Sequence, residues 1–408
     1  MDNKKNGIPK LRFPGFTGAW EQRKLGEITS HRGGTAIEKY FDENGEYKVI
    51  SIGSYGLNSK YVDQNIRAKS NEITNERVVH AGELTMVLND KTANGTIIGR
   101  SLLIENDNEY VINQRTEIIT PKENFNNKFA YTLLNGPFRN KVRRIVQGGT
   151  QIYVNYSSVE KLTVFLPNIK EQEEIGKFFN QLDSLIALHQ RKLEHLQEQK
   201  KGLLQKMFPK NGENVPEVRF PGFTDAWEQR RFKDISKLSQ GLQIAISKRF
   251  THPGDGKLFY ITNEFLNPNR TVKYYIDSPT KNVIAERTDI LMTRTGNTGK
   301  VVTDVEGVYH NNFFKISYNS SKIDRWFLYY LLNSYPIQRE ILVRAGNSTI
   351  PDLNHNDFYG IKIYIPTIEE QIKIGTFLTK VDSLIALHQR KLEHLELMKK
   401  GLLQQMFV

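Results

Sequence analysis

Arginine, lysine, asparagine and glutamine gather in a few short segments of the chain that also contain glycine or threonine. In the first half, Arg143 and Arg144 run directly into the glycine pair Gly148 and Gly149. Arginine and amide side chains can form paired hydrogen bonds with guanine and adenine edges, whereas lysine and the backbone amides of glycine loops suit phosphates. These residue types therefore indicate a surface that could bind nucleic acid. The candidates in the first half are Lys91, Thr92, Asn94, Asn113, Gln114, Arg115, Lys141, Arg143, Arg144, Thr150 and Gln151.

A matching set occurs in the second half. Counting back from Pro167 and Pro366, each of which follows an apolar run, Thr150 and Thr349 fall at the same position. Taken singly, each of these residues could equally lie in a solvated turn or on a charged helix face. Their occurrence at equivalent places in the two halves favours a shared contact face. The candidates in the second half are Arg294, Thr295, Asn297, Lys300, Asn311, Asn312, Arg344 and Thr349.

The motifs that would make this chain an enzyme are absent from the sequence or incomplete. The segment at 267–270 comes nearest to the Asn/Asp-Pro-Pro-aromatic loop of a DNA methyltransferase, but it lacks the required residues. The segment Gly296–Lys300 resembles a phosphate loop, yet Arg294 stands where glycine is needed and Val301 where serine or threonine is needed. The histidines lack metal-ligand spacing. The sequence therefore predicts no catalytic residue, no bound metal and no cofactor on this chain.

Composition is consistent with a folded protein that has a polyanionic partner. The 408 residues carry a formal net charge of +12, with 38% hydrophobic and 25% charged residues. A basic excess often accompanies nucleic-acid binding, although a merely soluble basic protein would show the same charge. The sequence has no cysteine, which excludes disulfides and cysteine-based zinc sites. Neither a signal peptide nor an apolar stretch of about 18 residues is visible, so we expect a cytoplasmic protein with no membrane contact.

The chain is an internal duplication. The string DSLIALHQRKLEHL begins at Asp183 and again at Asp382, and the string RFPGFT begins at Arg12 and again at Arg219. Internal repeats govern fold assignment, so two units of about 200 residues are expected. The mixed α/β regions of the two units share glycine turns and strand-like runs but few identical residues. A duplicated recognition module would keep its frame and vary its reading face in this way.

Each unit ends in a long predicted helix. A proline marks each start, acidic residues occupy the first turn, and apolar residues then follow at spacings of three and four. Such polar helices are marginal alone, so we expect the two copies to pair as an antiparallel coiled coil; an ordinary helical hairpin within one domain is the alternative. The predicted seam consists of Ile186, Leu193, Leu196, Leu203 and Met207 in the first copy and Ile385, Leu392, Leu395, Leu402 and Met406 in the second.

The predicted architecture is mixed α/β, with two globular recognition domains separated by the two long antiparallel helices and related by a pseudo-twofold axis. The expected segments are a first domain at 1–166, a first helix at 167–208, a linker at 209–218, a second domain at 219–365 and a second helix at 366–408. The linker is polar and contains turn-forming residues, as a unit boundary should.

Several of these repeated elements resemble one known family. They are the Arg-Phe-Pro-Gly-Phe lead followed by Trp-Glu, the Glu-Gln and Ile-Gly pairs beginning at Glu171 and Glu370, the Asp-Ser-Leu-Ile core, and the Lys-Gly-Leu-Leu-Gln ending. Together they resemble the specificity subunit of type I restriction–modification systems, and the resemblance covers essentially the whole chain.

The resemblance implies a non-catalytic subunit of a type I restriction enzyme and DNA methyltransferase complex. Each globular domain would read one half of a split double-stranded DNA target, and the helices would fix the spacer. Two methyltransferase subunits would dock on this chain and restriction subunits would join them. S-adenosylmethionine, ATP and Mg²⁺ would be used by those partners. The resemblance supplies no code for base contacts in the variable regions.

Two other functions stay open on sequence grounds. One is an independent nuclease or methyltransferase with unrecognised motifs, which would cleave or methylate DNA without partners. The other is a structural coiled-coil or RNA-binding protein, which would show no preference for a split duplex site.

Overall fold

The computed structural model describes residues 7–210, 212–267, 269–279, 281–346 and 351–408. The chain divides into two compact units, one formed by Met1–Gln190 with Arg390–Val408 and the other by Arg191–Gln389. Each unit therefore contains one globular region, the start of one long helix and the end of the other. The mixed α/β class and the two long helices are as predicted.

The first repeat consists of short strands and short helices, most of the strands preceding α3, and ends in its long helix. Its strands are β1 (Glu21–Lys24), β2 (Thr29–Gly33), β3 (Tyr47–Ile50), β4 (Arg67–Ala68), β5 (Val78–Val79), β6 (Leu84–Val87), β7 (Asn89–Asp90), β8 (Ser101–Leu103), β9 (Tyr110–Ile112), β10 (Thr116–Pro121), β11 (Ile152–Tyr153) and β12 (Thr163–Leu166). Its helices are α1 (Leu25–Ile28), α2 (Glu72–Asn75), α3 (Asn127–Asn135), α4 (Pro137–Val142), α5 (Tyr156–Val159) and α6 (Ile169–Lys206).

The second repeat has a similar plan with fewer elements. Its strands are β13 (Glu228–Arg231), β14 (Ser236–Gln240), β15 (Lys257–Ile261), β16 (Tyr274–Asp277), β17 (Ile284–Ala285), β18 (Ile290–Thr293), β19 (Val301–Val302), β20 (Gly307–Tyr309), β21 (Phe313–Tyr318) and β22 (Lys362–Ile365). Its helices are α7 (Phe232–Ile235), α8 (Arg325–Asn333), α9 (Tyr335–Ala345), α10 (His355–Tyr359) and α11 (Ile368–Met406).

The two repeats share one sheet plan. In the first, one four-stranded sheet has the order β2-β10-β6-β8 and another has the order β4-β3-β9-β5; the second repeat gives β14-β21-β18-β19 and β16-β15-β20-β17. In each repeat the first strand pairs antiparallel with the last, β1 with β12 and β13 with β22. This closing pair sets the long helix immediately after the sheet, so the helix start is anchored to its own globular region.

The Glu-Gln and Ile-Gly pairs fasten each long helix to the domain before it. The Glu171 carboxylate is fully buried and accepts two hydrogen bonds from the Arg12 guanidinium, at 2.6 and 2.7 Å. Gln172 is buried beside it, accepts from the Asn126 backbone N–H and donates to two backbone carbonyls. A Cβ on Gly176 would lie 2.7 Å from the Phe129 backbone nitrogen, so only glycine permits this approach. The second copy repeats the anchor with Arg219, Glu370, Gln371 and Gly375.

Within each unit the two long helices run antiparallel. In the first unit Lys399 pairs with Asp183, and the ring centroids of Phe407 and Phe179 lie 5.9 Å apart. Residue numbers therefore rise along α6 as they fall along the facing part of α11. In the second unit the equivalent ion pair joins Lys200 to Asp382 at 2.6 Å. The two lysines that interrupt the apolar seam therefore each neutralise an aspartate on the facing helix.

The seam residues are buried to different degrees. Leu193, Met207, Leu392, Leu395 and Met406 are buried, and the remaining five predicted seam residues are half-buried. In the first unit Leu395 and Met406 belong to the same apolar core as the Trp20 and Phe129 rings. In the second unit Met207 belongs to the core that contains Trp227 and Phe327. The helix ends thus contribute to the cores of the globular regions.

Candidate nucleic-acid interface

Two of the predicted loops in the first repeat meet at a small sheet. Strand β7 pairs with β11 in the registers Asp90 with Ile152 and Asn89 with Tyr153. This pairing places the turn after β7, with exposed Lys91, Thr92 and Asn94, beside the hairpin that carries exposed Thr150 and Gln151. Exposed Arg143 also contacts the turn, since its guanidinium donates to the Asn94 carbonyl at 3.4 Å.

The third predicted loop reaches the same place through the backbone. The Leu88 N–H donates to the Arg115 carbonyl at 3.0 Å, and the Val154 N–H donates to the Leu88 carbonyl at 2.9 Å. Arg115 is exposed and has a φ of +65°, in the left-handed region that is uncommon for residues other than glycine. The structure therefore brings the loops containing Lys91, Arg115 and Thr150 together, and their role as a contact face stays a prediction.

Two further predicted contact residues, Asn113 and Lys141, bond to their own domain. Asn113 is 7% exposed, and its amide oxygen accepts from the Ile37 and Gln114 N–H groups. Its amide nitrogen donates to Glu38, as does that of Gln114. Hydrogen bonding from Asn113, reinforced by the Glu38 backbone and by Gln114, lowers the pKa of Glu38, so this cluster holds a carboxylate.

The Lys141 side chain points into the domain. Its ammonium donates to the Thr163 carbonyl at 2.7 Å, and burial lowers its pKa. It lies beside the Trp20 and Phe407 rings at a small cavity. Arg144, three residues later, is exposed and stays a candidate for phosphate contact.

Equivalent loops of the second repeat also meet. The Arg294 N–H donates to the Asn312 carbonyl at 2.7 Å, and the Leu353 N–H donates to the Arg294 carbonyl at 2.9 Å. Thr298 donates its hydroxyl to the Pro351 carbonyl at 2.7 Å, which ties the loop tip to the segment after α9. The exposed side chains Asn297 and Lys300 lie on this loop.

Several polar candidates of the second repeat bond to their own domain. The Arg294 guanidinium pairs with Asp352 at 2.7 Å and lies over the Phe314 ring. Asn311 donates to Gln243 at 3.1 Å. The remaining placements are as follows: the Thr295 carbonyl accepts from Asn263, the Asn312 N–H donates to His310, Arg344 is exposed and donates to Glu340, and Thr349 lies outside the described residues.

Backbone hydrogen bonds define which positions of the two repeats are equivalent. Val87 exchanges bonds with Arg100 and Gly99 just as Thr293 does with Lys300 and Gly299. The bonds of Leu88 and Arg294 match in the same way. Arg294 therefore corresponds to Leu88, and Lys300 to Arg100. The Lys91 turn and the segment beginning at Arg294, which the sequence pairs, lie in equivalent loops, although Lys91 and Arg294 are not themselves equivalent residues.

The enclosed loops differ in length. In the first repeat the segment between the matched stem residues is 88–98, whereas in the second it is 294–298. The stem is thus common to both repeats, and the loop it carries is more than twice as long in the first.

Sequence reasoning missed a further pair of polar segments at this site. Glu38 in the first repeat and Gln243 in the second each bond to an asparagine of the neighbouring loop. A glycine precedes both segments: a Cβ on Gly34 or Gly241 would lie 2.0 Å from a backbone oxygen. Gly34 and Gly241 in matching positions after a strand were the sequence signal that could have located these segments.

The described residues contain no metal-binding cluster and no membrane-spanning helix. Within these ranges, no group of three His, Asp or Glu side chains is arranged to hold a metal ion. Among the helices of the described segments, none combines the length and apolar character needed to cross a membrane.

Comparison with known proteins gives a consistent result. A family model for the type I restriction modification DNA specificity domain matches residues 18–198 and, a second time, residues 224–397. The specificity subunit of the type I restriction enzyme MjaVIII from Methanocaldococcus jannaschii is 23% identical over 408 aligned residues, covering 94% of this chain and 91% of that protein. The putative MjaX specificity subunit of the same organism is 26% identical over 260 residues, covering 62% of this chain and 60% of that protein.

Two solved structures share the fold. The S subunit of a type I restriction–modification system from M. genitalium aligns with a TM-score of 0.61 at 16% identity, covering 98% of this chain and 99% of that one. A chain from a structural study of complex assembly and conformational transition in the type I R-M system aligns with a TM-score of 0.54 at 17% identity, covering 97% and 98%.

Proposed function

The chain belongs to the family of type I restriction–modification DNA specificity proteins, and from this premise we propose that each repeat reads one half of a bipartite duplex DNA target. Its role is that of a DNA specificity subunit within a restriction–modification complex. The long helices would set the spacer between the two half-sites.

The observation that carries this proposal is a conserved frame with divergent loops. The hydrogen bonds of Leu88 and Val154 recur at Arg294 and Leu353, yet the loop between the stems differs in length and in its exposed side chains. Reading different base edges requires different donors and acceptors at a fixed place. A common scaffold with two dissimilar loops supplies that requirement.

We further propose that the chain is non-catalytic, acts in the cytoplasm and depends on modification and restriction subunits. S-adenosylmethionine, ATP and Mg²⁺ would then be bound by those partners. The incomplete phosphate loop at Gly296–Lys300 supports this division of labour.

Two exposed leucine pairs support a pair of equivalent docking sites for modification subunits. Leu185 and Leu188 are each 40% exposed on α6, and their repeat counterparts Leu384 and Leu387 are 45% and 39% exposed on α11. Leucines three residues apart share one helix face. Because the same apolar pair occurs in both copies, we propose that each copy binds one modification subunit by covering its pair.

Exchange of one globular region tests the proposed function. Replacing residues 20–165 by the corresponding region of another family member, in the complete complex, should change one half of the methylated sequence and leave the other half and the spacer unchanged. Sequencing of methylated sites in a host genome reads out both halves at once. The reciprocal exchange of residues 228–364 is the matched control and should change only the other half. Changes in both halves after either exchange would contradict the proposal.

Removing an exposed arginine should weaken binding without changing the preferred sequence. Arg144→Gln should reduce the affinity of the assembled complex for all DNA sites by a similar factor, and the slope of log K against log salt should become shallower by about 1. Titration of a fluorescent duplex at several salt concentrations measures both quantities. An unchanged slope would show that Arg144 contacts no phosphate.

A further inference from the structure

Asp90 braces the long loop of the first repeat from the inside. This carboxylate is 3% exposed, and it accepts from the backbone N–H and hydroxyl of Thr92 at 3.0 and 2.9 Å and from the Ile97 N–H at 2.8 Å. Although burial opposes ionisation, the hydrogen bonds prevail and lower the pKa of Asp90. One ionised side chain therefore fixes both ends of the loop.

Arg139 holds the same loop from the side of α4. Its guanidinium donates to three backbone carbonyls, those of Gly95 at 3.0 Å, Thr96 at 2.7 Å and Ile98 at 2.9 Å. Burial lowers its pKa to about 10, which leaves the group charged at neutral pH. Carbonyl oxygens that accept from a cation form stronger hydrogen bonds than they do with neutral donors.

The second repeat has no counterpart to this arginine brace among its described residues. There, Gln338 on α9 donates to the carbonyl of Gly299, which is the stem glycine equivalent to Gly99. An amide of this kind suffices for the short loop 294–298. The arginine accompanies the longer loop, whose extra carbonyls need a donor with several N–H groups.

The outer face of the braced loop is exposed. Lys91, Ala93 and Asn94 are all solvent-accessible, while Asp90, Gly95 and Ile98 are buried beneath them. Because the backbone of this loop is already fixed, binding costs less conformational entropy than ordering a free loop would. That is the property expected of an element that distinguishes one base sequence from another.

We propose that the loop 88–98 is the principal sequence-reading element of the first repeat, with Asp90 and Arg139 as positioning residues that hold Lys91 and Asn94 toward the bases of the first half-site. This inference rests on the proposed function and adds to it the element and the residues that set one half of the specificity. Asp90 and Arg139 act through the loop and do not contact DNA themselves.

Arg139→Gln tests the positioning role, because glutamine is the residue that stands at the matched position of the second repeat. In the complete complex, the ratio of methylation at the cognate site to methylation at sites altered in the first half should fall at least tenfold. The same ratio for alterations in the second half should stay constant. A general structural defect would lower methylation at all sites together and leave both ratios unchanged.

Three companion variants make the outcome decisive. Asp90→Asn should give the same loss of first-half selectivity, because the amide has one acceptor oxygen and a nitrogen that only donates, so either Thr92 or Ile97 loses its acceptor. The double variant Lys91→Ala/Asn94→Ala alters only exposed side chains, so folding should persist while first-half selectivity changes. Gln338→Ala is the matched control in the second repeat and should leave first-half selectivity intact.

The inference fails if Lys91→Ala/Asn94→Ala keeps the wild-type first-half selectivity, or if folded Arg139→Gln does so. Failure of the proposed function is a separate result, visible in the wild-type complex as the absence of any bipartite sequence preference.

Discussion

Replacing Arg219 by methionine should lower the free energy of unfolding by about 3–5 kcal/mol, because it leaves the buried Glu370 carboxylate without its cation. The guanidinium donates to both carboxylate oxygens at 2.7 and 2.8 Å, and the Glu370 side chain has no exposed surface. Arg12→Met should have the same effect on Glu171 in the first repeat. Chemical denaturation measures the loss, and hydrogen exchange locates it in the unit that carries the substitution.

Arg230→Met is the matched control for the second repeat. Arg230 pairs with Glu228 at 2.6 Å, but both side chains are about half exposed or more, at 47% and 63%. Solvent screens such pairs, so the control should change the unfolding free energy by no more than about 1 kcal/mol. If Arg219→Met were as mild as this control, the anchor between lead segment and helix would not depend on the buried pair.

The repeat and the long helices could be predicted from the sequence, because the repeat is a stretch of identical residues and the helix signals lie within short segments. Fourteen letters recur unchanged from Asp183 and Asp382, and proline and acidic residues mark both helix starts. The roles of Lys200 and Lys399 could not be predicted, since each appeared only to interrupt an apolar seam. Their aspartate partners lie on the other long helix, far away in the chain.

The candidate interface was only partly predictable for a similar reason. Residue types singled out the Lys91, Arg115 and Thr150 loops as one candidate contact face, and the structure places these loops next to one another. Asn113 has the same composition signature, yet its amide is used by Ile37 and Glu38 from an earlier loop. The local sequence does not reveal which polar side chain will form a hydrogen bond with a group that is distant in the chain.

Which residues of the two repeats are equivalent could be established only from the structure. Counting from Pro167 and Pro366 aligned the later loops, and residue types paired the Lys91 turn with the segment beginning at Arg294. The sequence did not show that Arg294 itself matches Leu88 or that the first loop, 88–98, is the longer one. Hydrogen bonds of Leu88 and Arg294 resolved the register. Extra residues inside a loop do not alter the periodic pattern of apolar residues, so the sequence does not reveal them. The backbone hydrogen bonds at the base of the loop are the same in both repeats and do identify the equivalent residues.

Glutamate on the exposed leucine face should remove modification subunits one at a time. Leu188→Glu should leave a complex with one modification subunit, Leu387→Glu should do the same, and the double variant should bind none and lose methylation at least a hundredfold. A carboxylate placed in an apolar interface loses its hydration without gaining a partner. Native mass spectrometry of the assembled complex counts the subunits directly.

Leu397→Glu is the matched control for the docking variants. Leu397 is 69% exposed on α11. The first copy has Glu198 at the equivalent position, so a carboxylate is already accepted there in one of the two helices. This variant should keep both modification subunits and full methylation. A double variant that still bound two modification subunits would place the docking surface elsewhere on the helices. A control that lost one would likewise contradict the assignment of docking to the paired leucines.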